Sequence, residues 1–372
     1  MKILIVTGRF GMGHYSAAEA LREELLLENP QPDVEVVDAV EALFPPLKGL
    51  VYRCFNLLVS KMPGLFNRLS RLADKKEIRM FERLLTKMIN RFLKDREPDL
   101  VIVVLPGCSH YLAACRRATG RSFSLFTVLT DVTLHGSWID ADIDRYFVPA
   151  TATKEALIRR GAPAQRITVR GIPVRQSFLA LASTPEPAPD STKRILFMGG
   201  GLGLLPSSDE LLRRLIQTPH LELTLIAGRN KSLYQKMKKN FPEMEVIGFT
   251  DRVAHYMSRA DLLITKPGGI TMFEAIHSTT PLYVNRPFLL QEAGNAAWIE
   301  AMGIGVVHWE DHGEPGDDIL SLLEDDARLA EMRQTMQTLS QQFKQVPPLT
   351  SYVMAEPVSR ECGALFKRLG PF

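Results

Sequence analysis

Along this chain, short unbroken apolar runs alternate with longer stretches in which apolar positions recur every three or four residues. The first pattern reads as buried strands and the second as amphipathic helices. The runs fall at residues 2–7, 34–38, 100–105, 123–130, 145–148 and 167–169, with helical patterns between them such as 14–29 and 153–160. This alternation predicts an α/β fold, a mostly parallel sheet with helices on both faces. A stretch carrying Pro185, Pro187 and Pro189 interrupts the rhythm, which then restarts. Further strands are expected at 194–198, 221–227, 245–247, 261–265, 281–284 and 305–307, and a long helix at 327–343. The pattern therefore predicts two doubly wound, Rossmann-like domains. The first covers residues 1–182 and the second 194–345, joined by a linker at 183–193. A tail at 346–372 is expected to pack back on the first domain. Two such domains would face each other across a cleft at the carboxyl ends of their strands, where ligands bind.

Composition agrees with that picture. The chain has 372 residues, 45% hydrophobic and 23% charged, with 25 Gly and 24 Pro, which excludes a collagen-like or largely disordered chain. The longest aliphatic run, 100–105, is far short of the roughly 20 residues that span a bilayer. The apolar stretch after Met1 is too short for the core of a signal peptide. Cys54, Cys108, Cys115 and Cys362 form no C-x-x-C pair, so neither a zinc ribbon nor a redox motif is expected, and a reducing cytosol is the simplest setting.

Charge changes the picture more. The net charge is only +3, yet residues 48–96 carry 13 Lys/Arg against 4 Asp/Glu. In that segment Leu47, Val51, Leu58, Met62, Leu65, Leu69 and Leu72 recur mainly at helical gaps, and Pro63-Gly64 should split the stretch into two helices. Lys75, Arg79, Arg83, Lys87 and Arg91 then fall every fourth residue as a cationic stripe. Like-charged pairs at that spacing cost roughly 0.2–0.5 kcal/mol each. An anionic lipid surface attracts each nearby Lys or Arg by about 1 kcal/mol. An anionic membrane is thus the expected partner, with a solvated helix face as the plain alternative. Nucleic acid is not expected, because the whole chain is nearly neutral and basic and aromatic residues do not interleave.

Candidate chemistry sits in glycine-rich turns that follow strands and open helices. Gly8 to His14 reads G-x-x-G-x-G, not the dinucleotide fingerprint G-x-G-x-x-G, although Asp38 at the end of the next strand keeps a nicotinamide-cofactor reading open. The second half has Gly199-Gly200-Gly201-Leu202-Gly203. A third turn, Lys266-Pro267-Gly268-Gly269-Ile270-Thr271, leads into a helix whose N-terminus and Thr271 hydroxyl suit a phosphate. Glu274 is expected in the first turn of that helix, where it would either accept ribose hydroxyls or compensate the helix dipole. His308 and His312 beside Glu310 and Asp311 offer metal-ligand types, but Gly313 and Pro315 favour a solvated loop there.

Gly11-Met12-Gly13-His14-Tyr15-Ser16-Ala17-Ala18, Thr130-Asp131 with His135-Gly136-Ser137-Trp138, Gly171-Ile172-Pro173-Val174, Lys266-Pro267-Gly268-Gly269 and Gln291-Glu292-Ala293-Gly294-Asn295 occur in this order. Together they resemble the monogalactosyldiacylglycerol synthase and processive diacylglycerol β-glucosyltransferase group of glycosyltransferase family 28. The resemblance implies a GT-B fold, a UDP-sugar donor held mainly by the C-terminal half, and inversion without a metal ion or other cofactor. It implies His14 as the general base, with Asp131 as a second candidate base or an orienter of His14. It places Gly13, Gly200, Gly201, Gly203, Lys266, Gly268, Gly269 and Thr271 around the donor diphosphate, and Phe249 against uracil. Glu274 would hold the ribose, and Gln291, Glu292 and Asn295 would lie at the sugar end. Two departures stand out, Leu205 in the diphosphate loop and Leu290 before Gln291, where relatives often have glycine. The expected activity is transfer of glucose or galactose to diacylglycerol at the inner face of the cell membrane. N-acetylglucosaminyl transfer to a polyprenyl-linked precursor and a non-catalytic nucleotide-sugar sensor are the alternatives.

Overall fold

The computed structural model describes residues 1–28, 32–62, 64–68, 82–134, 138–181, 192–199, 208–285, 287, 289–309 and 315–354. Lys75, Arg79, Gly200, Gly201 and Gly203 lie outside these residues, as do His135, Leu205, most of the expected linker and most of the tail.

The first sheet contains β1 (Lys2–Thr7), β2 (Asp33–Asp38), β3 (Leu100–Val103), β4 (Ser124–Val128), β5 (Arg145–Val148) and β6 (Ile167–Val169). All pairings are parallel, in the order β2-β1-β3-β4-β5-β6. Its helices are α1 (Gly13–Glu28), α2 (Ala39–Leu43), α3 (Lys48–Lys61), α4 (Glu82–Lys94), α5 (Cys108–Thr119) and α6 (Thr151–Arg159). Alternate residues of β1 serve opposite faces. Ile3 and Ile5 pack with Leu21 and Leu25 of α1, whereas Leu4 and Val6 pack with Ile89 and Leu93 of α4 and Leu112 of α5. Each fully buried aliphatic side chain contributes roughly 1.5–3 kcal/mol. Because both faces are covered, β3 is apolar throughout and reads as an unbroken run rather than an alternation.

After α7 (Gln176–Leu179), the second sheet contains β7 (Lys193–Met198), β8 (Leu221–Ile226), β9 (Glu245–Ile247), β10 (Leu262–Thr265), β11 (Leu282–Val284) and β12 (Gly305–Val307). It is also parallel, in the order β12-β11-β10-β7-β8-β9. Helices α8 (Asp209–Ile216), α9 (Lys231–Asn240), α10 (Val253–Ser258), α11 (Gly269–Ser278), α12 (Leu290–Ala301), α13 (Pro315–Glu324) and α14 (Asp326–Lys344) surround it, and α15 (Ser351–Met354) follows. The chain order reverses between β1 and β3 in one sheet and between β7 and β10 in the other. Those switch points open a crevice at the carboxyl edge of each sheet.

Two compact units result. One holds Met1–Phe10, His14–Arg175 and the described residues from Gln345 on; the other holds Gly11–Gly13 and Gln176–Lys344. Within the first, Leu349 is fully buried in the core, and Tyr352 meets Phe147 edge-on at 5.2 Å. Within the second, Lys344 donates to the Leu179 carbonyl at 2.9 Å, tying α7 to α14.

The basic segment departs from the expected apolar stripe. Helix α3 ends at Lys61, before Pro63, and residues 64–68 are helical again. Val51 and Leu58 are half-buried, whereas Leu50 and Leu57 are 61% and 58% exposed. Arg83, Lys87 and Arg91 are exposed on α4, whose opposite face buries Ile89 and Leu93.

Candidate active site

The first unit places His14 at its switch point. Between β1 and α1 the chain turns within a few residues, and two glycines make this feasible. A Cβ on Gly8 would come within 3.0 Å of the side chains of Leu105 and Phe10, and Gly11 has φ +75°. His14 is the second residue of α1. Its Nδ1 lies 2.8 Å from the Thr130 hydroxyl, just past β4, and the ring also hydrogen-bonds the Val104 carbonyl, just past β3. Partial burial pushes the imidazole down to about 4, against the raising effect of that carbonyl. At neutral pH the ring is therefore uncharged, the state a base needs. Asp131 is half-buried at the same strand end, and the side-chain partner of Nδ1 is the Thr130 hydroxyl.

Asp38 has a different task from the one a nicotinamide site would give it. Its Oδ1 accepts from the Val40 and Glu41 N–H groups, capping α2, and its carboxylate accepts from the Tyr52 hydroxyl at 2.6 and 2.7 Å. Arg9 lies 3.7 Å away. With those partners the carboxylate is committed to the fold, which removes the residue that kept the nicotinamide reading open.

The second unit gathers most of the donor-side candidates beside its own switch point. Thr265, the last residue of β10, donates its hydroxyl to the Met198 carbonyl at the end of β7, at 2.8 Å. The chain then turns through Lys266, Pro267 and Gly268 into α11, which has no side-chain cap. An uncapped helix N-terminus presents free N–H groups to an anion, and the Thr271 hydroxyl lies beside Gly268. Lys266 Nζ is 2.9 Å from Glu292 Oε1, while Glu292 Oε2 accepts from the Leu289 N–H at the start of α12. Asn295 donates to the Pro267 carbonyl at 3.1 Å and pins the turn from below. Gln291 is half-buried in the first turn of α12.

Two expectations change here. Glu274 is 6% exposed and lies in the second turn of α11, not the first, because the helix starts at Gly269. Dipole compensation therefore does not explain it. Glu292 was expected to read sugar hydroxyls, yet each of its oxygens already holds a partner within this unit. Phe249 is 68% exposed, with the Arg229 guanidinium 4.9 Å from its ring centre. Arg229 and Thr130 carried no role in the sequence reading. Thr130 stood inside a recognised motif, whereas nothing in the local sequence points from Arg229 to Phe249. Among the described residues no three His, Cys, Asp or Glu side chains group as metal ligands, and no helix is long and apolar enough to cross a membrane. Glu310, Asp311 and His312 lie outside the described residues.

Residues 14–174 match the family model described as monogalactosyldiacylglycerol (MGDG) synthase. A processive diacylglycerol β-glucosyltransferase of Bacillus cytotoxicus is 30% identical over 348 residues, covering 90% of this chain and 89% of that protein. Among solved structures, MurG of Acinetobacter baumannii matches with a TM-score of 0.59 at 15% identity, covering 95% of this chain and 98% of that one. The spinosyn rhamnosyltransferase SpnG, complexed with thymidine diphosphate, matches with a TM-score of 0.61 at 15% identity, over 95% and 99% of the two chains. These two show the fold, the GT-B architecture expected from the motifs. The identity and coverage of the Bacillus relative show more: the chain belongs to the monogalactosyldiacylglycerol synthase and diacylglycerol glucosyltransferase family of glycosyltransferases.

Proposed function

We propose that the protein transfers a hexose, glucose or galactose, from a UDP-sugar to the free hydroxyl of diacylglycerol, with inversion at the anomeric carbon. The observation that carries this reading is the neutral His14 imidazole, held at the strand ends by Thr130 and Val104. An alcohol is a weak nucleophile at neutral pH. As its oxygen attacks the anomeric carbon and the bond to UDP breaks, His14 takes the hydroxyl proton. The charge that develops on the leaving diphosphate needs donors already in place. The uncapped N-terminus of α11, the Thr271 hydroxyl and Lys266 provide them, together with Gly13 and the 199–203 loop. Phe249 stacks on uracil, Glu274 holds the ribose, and Gln291 reads the sugar. Glu292 and Asn295 hold Lys266 and its turn in position. The residues assigned to the diphosphate supply its counter-charge without a metal ion.

The acceptor resides in a membrane, and the basic segment is suited to reach it. Helix α3 has no acidic residue, and its outward face carries Leu50, Arg53, Cys54, Leu57 and Lys61. With Arg83, Lys87 and Arg91 of α4, and with Lys75 and Arg79, it would seat the protein on an anionic bilayer as a peripheral protein of the inner face.

Release of UDP from UDP-glucose, UDP-galactose and UDP-N-acetylglucosamine tests the proposal, with diacylglycerol presented in anionic or zwitterionic vesicles. The expected result is lipid-dependent release with one hexose donor, faster on anionic vesicles. Measurable UDP binding without release from any donor would transfer the argument to a polyprenyl-linked acceptor or to a sensor.

A further inference from the structure

We infer that Tyr52 and Asp38 form a clasp through which the lipid-facing helix α3 sets the turn leading to His14, making both of them positioning residues. This inference rests on the proposed membrane function. On an α-helix, successive residues are about 100° apart. Leu50 and Leu57 therefore share one face, and Tyr52 points to the opposite side. Those leucines are exposed, whereas the Tyr52 side turns onto the turn after β1. The Tyr52 hydroxyl accepts the Arg9 backbone N–H at 3.0 Å while donating to Asp38 at 2.6–2.7 Å. Phe10 packs edge-on against Tyr52 at 5.1 Å and against Phe55, one helical turn further along α3, at 4.9 Å. The Arg9 guanidinium lies 3.7 Å from Asp38 and 5.4 Å from the Tyr15 ring, which neighbours His14 in sequence.

The clasp is built to transmit position. Asp38 is 8% exposed, and its carboxylate serves the α2 cap, Tyr52 and Arg9 together. Breaking any one of these leaves a buried charge short of a partner, so the group holds as a unit. Tyr52 keeps its proton far into the alkaline range, because burial and the Asp38 carboxylate both disfavour a phenolate. It thus remains a donor to Asp38 at every working pH. A shift of α3 on a bilayer reaches Arg9 and Phe10 through one direct hydrogen bond, the ion pair that Asp38 makes with Arg9, and two ring contacts, and His14 follows four residues after Phe10.

Tyr52→Phe tests the clasp, since it removes the hydroxyl and keeps the ring on Phe10. Asp38→Asn serves as a second variant, because Asn still caps α2 but no longer attracts Arg9. Hydrogen exchange at the Arg9 amide is followed with and without anionic vesicles. Turnover is measured with diacylglycerol in vesicles and with a dispersed short-chain diacylglycerol. Wild-type protein is expected to gain protection at Arg9 on vesicles. Both variants should float with vesicles as the wild type does, yet gain no protection. Their kcat with vesicle substrate should fall about tenfold, with the KM for the UDP-sugar unchanged and a much smaller loss on the dispersed acceptor. Equal losses on both acceptors, or vesicle-induced protection that survives in Tyr52→Phe, would overturn the clasp. A wild type that neither floats nor releases UDP would instead overturn the functional reading on which it rests.

Discussion

In the proposed mechanism the chemistry turns on His14, and its surroundings fix how it can act. A ring exposed to water titrates near 6.5; partial burial brings this one down to about 4. The base requires the neutral form, so protonation switches it off only as pH falls through the lower value. The acid limb of kcat/KM is accordingly expected near pH 4, and a limb near 6.5 would mean that the ring works in water. His14→Ala should lower turnover by about 10²–10⁴-fold while leaving UDP affinity, measured by titration calorimetry, at the wild-type value. Unchanged turnover would dismiss His14 as the base. The sequence displayed both His14 and Thr130 inside recognisable motifs. It could not display that they meet, because 116 positions separate them and the contact exists only once β1, β3 and β4 lie side by side.

At the scale of elements, α11 and α12 illustrate what local pattern can and cannot disclose. The turn Lys266-Pro267-Gly268-Gly269 was legible because a strand that ends in glycines before an apolar helix has few other readings. The partners of Lys266 and Glu292 were not, since two helices and a strand end must first come together. Glu292 is the buried member of that pair at 7% side-chain exposure, and Lys266 remains 31% exposed. Glu292→Gln therefore leaves no stranded buried charge, and the freed lysine can be solvated. The expected consequence is loss of placement for Lys266: UDP should bind about tenfold more weakly, as judged from one hydrogen bond to a charged group, with the preference among hexoses unaltered. If UDP affinity holds while the preferred hexose changes, Glu292 reads the sugar and Lys266 needs no partner. Helix α3 shows the opposite limit of pattern. Gaps of three, four and seven indicated a helix and picked out the half-buried Val51 and Leu58, but they gave no sign of Leu50 and Leu57, which stand exposed on the other face.

For the molecule as a whole, the strands were readable almost residue by residue because buried parallel sheets demand continuous apolar runs, and short runs of that kind have few other uses in a globular fold. Polar side chains inside the fold follow no such period, and they set how the protein answers to acid. His277 on α11 is one of them. It is 8% exposed, its Nδ1 is 2.9 Å from the Ser340 hydroxyl of α14, and burial first, then the Lys344 charge, lowers it to about 3. In the unfolded chain the same ring titrates near 6.5. Between these values the unfolded state binds the proton and the folded state does not, so stability is full above pH 6.5 and drains away as pH falls towards 3. The loss from His277 alone is at most about 4–5 kcal/mol, and the less deeply buried His14 adds to it in the other unit. Two units with separate cores need not unfold together. Thermal melts from pH 7 to pH 4 should therefore show the transition of the second unit dropping as pH falls below 6.5. His277→Asn, which still bonds Ser340 but cannot titrate, should flatten that drop while leaving the first unit unchanged. If the His277→Asn variant melts as acid-sensitively as the wild type, the acid lability lies elsewhere, in the carboxylates that pair across the surface.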